Sequence, residues 1–237
     1  MEEQYARTRL LLGDEAQEHL KGCTVAVFGL GGVGSFAAEA LARAGIGRMI
    51  LVDRDVVTIS NLNRQLVALH STLGRPKAEV MRERILDINP ACRAEAKQVF
   101  YLPENGAELI RPEYDYIVDA IDNVTAKLDL ACRAHALSIP IISAMGAGNK
   151  LDPSHFETAD IYETAGCPLC RVMRRELRKR GVTSLKVVYS REEPRRVAAP
   201  GGERPPTASV PFVPPVMGMI LAGEVIRDLA AGARPGR

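Results

Sequence analysis

VAVFGLGGVGSFAAEAL, residues Val25 to Leu41, decides how the rest of the chain reads. An apolar run, VAVFG (25–29), passes through glycines into an alanine-rich segment suited to a helix from Ser35 to Ala44. Gly29, Gly31 and Gly34 form G-x-G-x-x-G at a strand-to-helix junction. The first permits a tight turn, the second lets phosphate approach the backbone, and the third lets helix pack on strand. Free N–H groups at the helix start then face an anion. Asp53 closes the next strand, MILVD (49–53), where a ribose-binding carboxylate is expected. This combination predicts nucleotide binding. It leaves open whether the nucleotide is a dinucleotide cofactor or one that is cleaved.

Working outward, apolar runs alternate with helical segments. Further strands are expected at EAKQVF (95–100), YIVDAI (116–121) and PIISAM (140–145). Helices are expected from Arg75-Pro76-Lys77 to about Ile88, in PENGAELI, and from about Thr125 to Leu137. Apolar strands separated by helices predict a parallel sheet covered on both faces. The fold class is therefore α/β: a Rossmann-like, doubly wound, mainly parallel sheet with a C-terminal helical and strand extension. Residues 1–150 read as the nucleotide-binding core and 151–237 as the extension. Within the latter, Pro168 to Arg180 reads as a basic helix, SLKVVYS (184–190) as a strand and Pro214 to Ala230 as a helix. REEPRRVAAPGGERPPTAS (191–209) lacks an apolar period and reads as a mobile loop.

Composition agrees with a globular domain: 46% of residues are hydrophobic and 25% charged, enough apolar matter for a sizeable core. A net charge of +2 leaves nucleic-acid binding to a local basic patch. The N-terminus lacks the apolar core of a signal peptide, and no apolar run is long enough to span a bilayer. Five cysteines without a framework of spacings suit a reducing compartment, so a cytoplasmic location without membrane attachment is expected.

Three features are ones that a hydride-transferring enzyme would not need. Asn61, Asn63 and Arg64 of SNLNRQ offer hydrogen bonds to a polyphosphate. Lys77 stands in the first turn of a helix, where a cation is unfavourable unless an anion sits in front of it; Arg75 either shares that role or is solvated. Asp122 of DAIDN lies where the fourth strand ends, beside the glycine turn. A carboxylate next to phosphates makes sense with Mg²⁺ between them, and an N-cap role for Asp122 or Asn123 is compatible with that. The set suits ATP with Mg²⁺ better than NAD.

GxGGxGS, the aspartate after the second strand, N-x-N-R-Q, the lysine at a helix start and D-x-x-D-N resemble the ThiF/MoeB family, relatives of the ubiquitin-activating enzymes. The resemblance implies carboxylate adenylation, in which the substrate carboxylate attacks the α-phosphate of ATP and pyrophosphate leaves. It implies a nucleotide site of Gly29, Gly31, Gly32, Gly34, Asp53, Asn61, Asn63, Arg64, Gln65, Lys77, Asp122 and Asn123. Arg64 and Lys77 would bind phosphates and Asp122 would bind Mg²⁺. Arg7 of YARTRLLLG resembles the arginine that crosses a homodimer into the neighbour's ATP site. Further on, ISAMGAGNKLDP (142–153), CPLCRVMRRELRKRGV (167–182) and SVPFVPPVMGMILAGEVI (209–226) closely resemble the tRNA threonylcarbamoyladenosine dehydratases. That implies adenylation of the nucleoside's free carboxylate, then ring closure by its own ureido nitrogen with net loss of water. Adenylation of the C-terminus of a ubiquitin-like protein, NAD-dependent oxidoreduction and a catalytically silent scaffold are the alternatives.

Structural zinc is not expected, because Cys167 and Cys170 form one C-x-x-C pair where a tetrahedral site needs two. Small buried residues or a helix cap are the plainer roles for them. Arg171, Arg174, Arg175, Arg178, Lys179 and Arg180 form either a solvated face or a patch for a tRNA backbone. Arg191, Arg195, Arg196 and Arg204 of the 191–209 loop would close over tRNA or adenylate, or belong to a plain insertion. His70 follows N-x-N-R-Q and is placed near the site. A sulfur-transfer partner cannot be read from the residues.

Overall fold

The structure, a computed structural model, describes residues 3–198 and 207–232. Its centre is a seven-stranded sheet ordered β3-β2-β1-β4-β5-β7-β6. The strands are β1 (Thr24–Phe28), β2 (Arg48–Val52), β3 (Arg93–Lys97), β4 (Tyr116–Asp119), β5 (Ile141–Ala144), β6 (Phe156–Asp160) and β7 (Lys186–Ser190). All neighbours run parallel except β6 and β7. The helices are α1 (Ala6–Leu12), α2 (Asp14–Gly22), α3 (Gly34–Ala44), α4 (Lys77–Ile88), α5 (Gly106–Leu109), α6 (Val124–Ala136), α7 (Pro168–Lys179) and α8 (Val213–Gly232). β1 is buried along its whole length, as a strand covered on both faces requires.

Strand order reverses between β1 and β4. Chain leaving β1 turns one way and chain leaving β4 turns the other, so a crevice opens at their carboxyl ends. The glycine turn forms one wall of that crevice and the β4–α6 loop forms the other.

The second half joins the same sheet. β7 pairs with β5, and β6 adds the antiparallel edge. FETAD (156–160) carries no apolar alternation, which is why this strand was not expected. The long helix α8 returns to pack on α3. At Gly218 the two backbones meet: a Cβ there would lie 2.3 Å from the Val33 carbonyl oxygen. The expected 95–100 strand is instead 93–97. Past Lys97 the chain bends inward, and Val99, Phe100 and Tyr101 reach the crevice.

Of the 191–209 loop, residues 199–206, Arg204 among them, lie outside the described residues. Its two stems converge on one asparagine. Arg195 N–H donates to the Asn149 carbonyl at 2.8 Å, and Asn149 N–H donates to the Ala208 carbonyl at 2.8 Å. Ala208 N–H returns a bond to Asn149 Oδ1 at 2.8 Å. Asn149 makes these bonds at φ +59°, a conformation that asparagine tolerates better than most residues.

Candidate functional site

The crevice is a cleft of about 510 Å³, within the range of small-molecule sites. The turn at its base is fixed by sterics. Gly29 sits at φ +88°, and a Cβ there would lie 2.6 Å from the Ala120 carbonyl oxygen. A Cβ at Gly34 would overlap the Gly29 carbonyl at 1.8 Å. Gly31 differs: a Cβ would meet nothing nearer than Gln65 Nε2 at 3.8 Å. The bare side of Gly31 therefore faces the cleft and leaves room for a phosphate. Ser35 locks the loop, its Oγ donating to the Gly31 carbonyl at 2.6 Å and accepting from Leu66 N–H at 3.3 Å.

Asp53 stands where β2 ends. Its Oδ2 accepts from Leu30 N–H at 2.6 Å, and its Oδ1 accepts from Asp55 N–H at 2.8 Å. Burial pushes its carboxyl above the ordinary aspartate range, against the opposing pull of those N–H groups and of Lys77. Each oxygen keeps a lone pair for a ribose hydroxyl.

Lys77 opens α4 and is 4% exposed. Its Nζ donates to Asp55 Oδ2 at 3.0 Å, and its backbone N–H donates to the Asp55 carbonyl at 3.0 Å. The cation at the helix start thus has an acidic neighbour within the chain, so the anion expected in front of it is not what reconciles it with the helix dipole. Arg75 is paired instead with Glu83 at 2.5 Å. Arg64 is oriented by two acceptors, the Ser60 carbonyl at 3.0 Å and Asn63 Oδ1 at 2.8 Å.

Gly29, Gly31, Gly32, Asp53, Asn61, Arg64, Gln65, Lys77 and Asp122 all line the cleft. Other expected members do not line it. Asn63 donates to the Ser209 carbonyl at 3.1 Å and so ties the Arg64 segment to the start of the tail. Asn123 caps α6, accepting from Ala126 N–H at 3.0 Å. Gly34 is packed under the turn. Arg7 is exposed on α1, away from the lining. His70 is exposed in a short helical turn and does not line the cleft.

Several lining residues were missed. Lys127 is 1% exposed and forms an ion pair with fully buried Asp119 at 2.9 Å. Ser143 completes the cluster, accepting from Lys127 Nζ at 3.2 Å and donating to Asp119 Oδ2. Asp119 Oδ1 accepts from Ile121 N–H at 3.1 Å, which shapes the loop carrying Asp122. Val99 and Phe100, the latter under the Arg54 guanidinium at 4.0 Å, supply an apolar wall suited to a base. A lysine in the middle of a helix gives no sequence signal, and the cleft-facing turn of Val99 and Phe100 resembles strand.

Asp122 is exposed on the cleft rim. Among the described residues no group of three or more His, Cys, Asp or Glu is placed to hold a metal. A single rim carboxylate fits Mg²⁺, which keeps most of its shell as water and substrate phosphate.

The basic helix α7 is largely spoken for. Arg174 turns inward to the Thr164 carbonyl at 2.8 Å and to Thr164 Oγ1. Arg175, Lys179 and Arg180 converge on Glu176 at 3.1, 3.0 and 2.9 Å. Arg178 stacks over Tyr162 at 5.2 Å. Arg171 is exposed.

The ThiF family model matches residues 4–235. The chain belongs to the ThiF family. Within this family it is 44% identical to the tRNA threonylcarbamoyladenosine dehydratase of Bacillus subtilis, over 95% of this chain and 94% of that one. The Escherichia coli enzyme TcdA, tRNA N6-threonylcarbamoyladenosine dehydratase, superposes in its ATP complex with a TM-score of 0.89 at 34% identity. That match covers 99% of this chain and 97% of TcdA. The AMP complex of TcdA also matches at 0.89, with 33% identity over 98% and 95% of the two chains.

Proposed function

We propose that this protein is an ATP-dependent tRNA threonylcarbamoyladenosine dehydratase. The observation that carries the reading is one cleft holding the glycine turn, Asp53, Arg64, Lys77 and Asp122, in a chain similar from end to end to enzymes of that name. Asp53 would receive the ribose, and the bare face of Gly31 would receive phosphate. Arg64 and Lys77, pre-oriented by Asn63 and Asp55, would offset negative charge as the substrate carboxylate attacks the α-phosphate and pyrophosphate departs. The ureido nitrogen then attacks the activated carbonyl, AMP leaves and the nitrogen loses its proton. Both reacting groups belong to one side chain, so proximity replaces a protein nucleophile. Asp122 would hold Mg²⁺, which would supply positive charge against the phosphates.

We further propose a homodimer in which Arg7 of one protomer reaches the partner's cleft. Leu10 and Leu11 on the same helix, 87% and 88% exposed, support a surface that is covered in the working enzyme. tRNA would lie along the Arg171 side of α7, with the 191–198 and 207–209 stems at its edge. A sulfur-transfer protein as a partner belongs to the same proposal. So does a cytoplasmic location; among the described residues no helix is long and apolar enough to cross a membrane. The test is AMP release from ATP. It is expected only when tRNA carrying threonylcarbamoyladenosine is added. AMP release with a ubiquitin-like protein and none with this tRNA would reverse the assignment.

A further inference from the structure

The mechanism leaves one chemical group beneath the cleft unused. Cys167 is the N-cap of α7, and Cys170 lies in its first turn; they are 5% and 0% exposed. Cys167 Sγ accepts from Cys170 N–H at 3.5 Å. The Cys170 side chain and the backbone N–H groups of Leu169 and Gly146 lie close to the same sulfur. These donors hold the Cys167 thiol well below the ordinary range, and donation to that sulfur keeps Cys170 protonated. The buried ammonium of Lys150, tied to the Glu192 carbonyl, lies near both sulfurs. The pair thus joins a nucleophilic thiolate to a resolving thiol at a helix start, the arrangement of reactive C-x-x-C sites. The other cysteines differ. Burial pushes Cys23 and Cys92 up to about 11 and raises Cys132.

Leu169 and Gly146, whose N–H groups lie close to the Cys167 sulfur, line the cleft. The dithiol is therefore built into the floor at the end away from the glycine turn. Both sulfurs are buried, so only a small oxidant reaches them. We propose that Cys167 and Cys170 are a modification site for a hydroperoxide, which converts them to an intramolecular disulfide and loosens the 144–150 floor of the cleft.

The Cys167 thiolate attacks one peroxide oxygen and the O–O bond breaks. The departing hydroxide takes a proton, leaving Cys167 as sulfenic acid. Cys170 sulfur then attacks the Cys167 sulfur, the S–S bond forms, and the S–O bond breaks with loss of water. Overall, hydrogen peroxide and two thiols give one disulfide and two waters. A disulfide sulfur carries no charge, so the Gly146 N–H loses the anion beside it.

Treat the reduced full chain with hydrogen peroxide and follow intact mass and mapped peptides. A loss of two hydrogens located at Cys167–Cys170 is expected, reversed by dithiothreitol. In the oxidised protein, amide hydrogen exchange should quicken across 144–150 and stay unchanged across 25–34. Cys170→Ala should instead yield a Cys167 sulfenic acid that dimedone traps. Earlier oxidation of Cys23, Cys92 or Cys132 would overturn the proposal. So would sulfinic acid at Cys167 with Cys170 present, or unchanged exchange at 144–150 in the disulfide form. The wild-type readouts decide the matter even if the variant does not fold.

Discussion

Two lysines line the same cleft, one on each side of the glycine turn, and they are held in opposite ways. Lys77 pairs with Asp55, whose side chain is 51% exposed, so its charge is only partly neutralised and faces the phosphate end. Lys127 pairs with Asp119 at zero exposure, and Ser143 closes the cluster. Lys77 is buried but its partner is half exposed, so Asp55 is solvated even without the lysine. A sealed pair is costly to break and holds the frame around it. The β2–α4 side therefore supplies chemistry, while the β4–α6 side supplies the rigid loop that presents Asp122.

Changes at the two sides should separate these roles. Lys127→Met leaves Asp119 charged, buried and unpaired, and should cost about 3–5 kcal/mol in denaturant unfolding. Adding Asp119→Asn should restore much of that loss; no recovery would mean that the two do not act as a pair. Lys77→Ala should lower turnover by about 10²–10³-fold. Its stability should fall by less than that of Lys127→Met, because the Asp55 carboxylate left behind is half solvated. A large stability loss at Lys77 with turnover intact would erase the distinction between the two lysines. Arg64→Ala should cost about 1.5–3 kcal/mol of transition-state binding, roughly 10–160-fold in kcat/KM, with an unchanged melting temperature.

Asp53 offers a pH test of the same side. Its folded carboxyl is raised by burial, so protonation begins at a higher pH than for an ordinary aspartate. The ionised form accepts the ribose, so adenosine binding, followed by calorimetry, should weaken as pH falls through that raised value. Asp53→Asn should bind more weakly at neutral pH and lose that acid limb. The smallest effect is expected on α7. Arg171→Ala should weaken tRNA binding and reduce the slope of log K against log salt by about one. Arg175→Ala should do less, because Glu176 already offsets it.

Much of this was legible because backbone rules dictate it. The glycine turn, Asp53 and the strands up to Ala144 follow from sterics and apolar patterning, and each falls within a few residues of its expected place. The other features depend on tertiary contacts that no local pattern encodes. Lys127 sits in VTAKLDL, which reads as an ordinary helix surface until Asp119 and Ser143 are brought against it. Asn123 caps α6, as its place ahead of that helix suggests, whereas the bond from Asn63 to the distant Ser209 carbonyl has no local signal. Arg174 belongs to a basic run but turns to Thr164. The antiparallel edge strand exists because β7 offers it a partner, and FETAD alone gives no sign of it.

The most direct measurement is nucleoside mass spectrometry on tRNA carrying threonylcarbamoyladenosine, after incubation with this protein, ATP and Mg²⁺. The account expects the modified nucleoside to lose the mass of one water in an ATP-dependent manner, and Lys77→Ala to slow that loss by about 10²–10³-fold. An unaltered nucleoside mass after incubation with the folded, ATP-binding wild-type protein would contradict it.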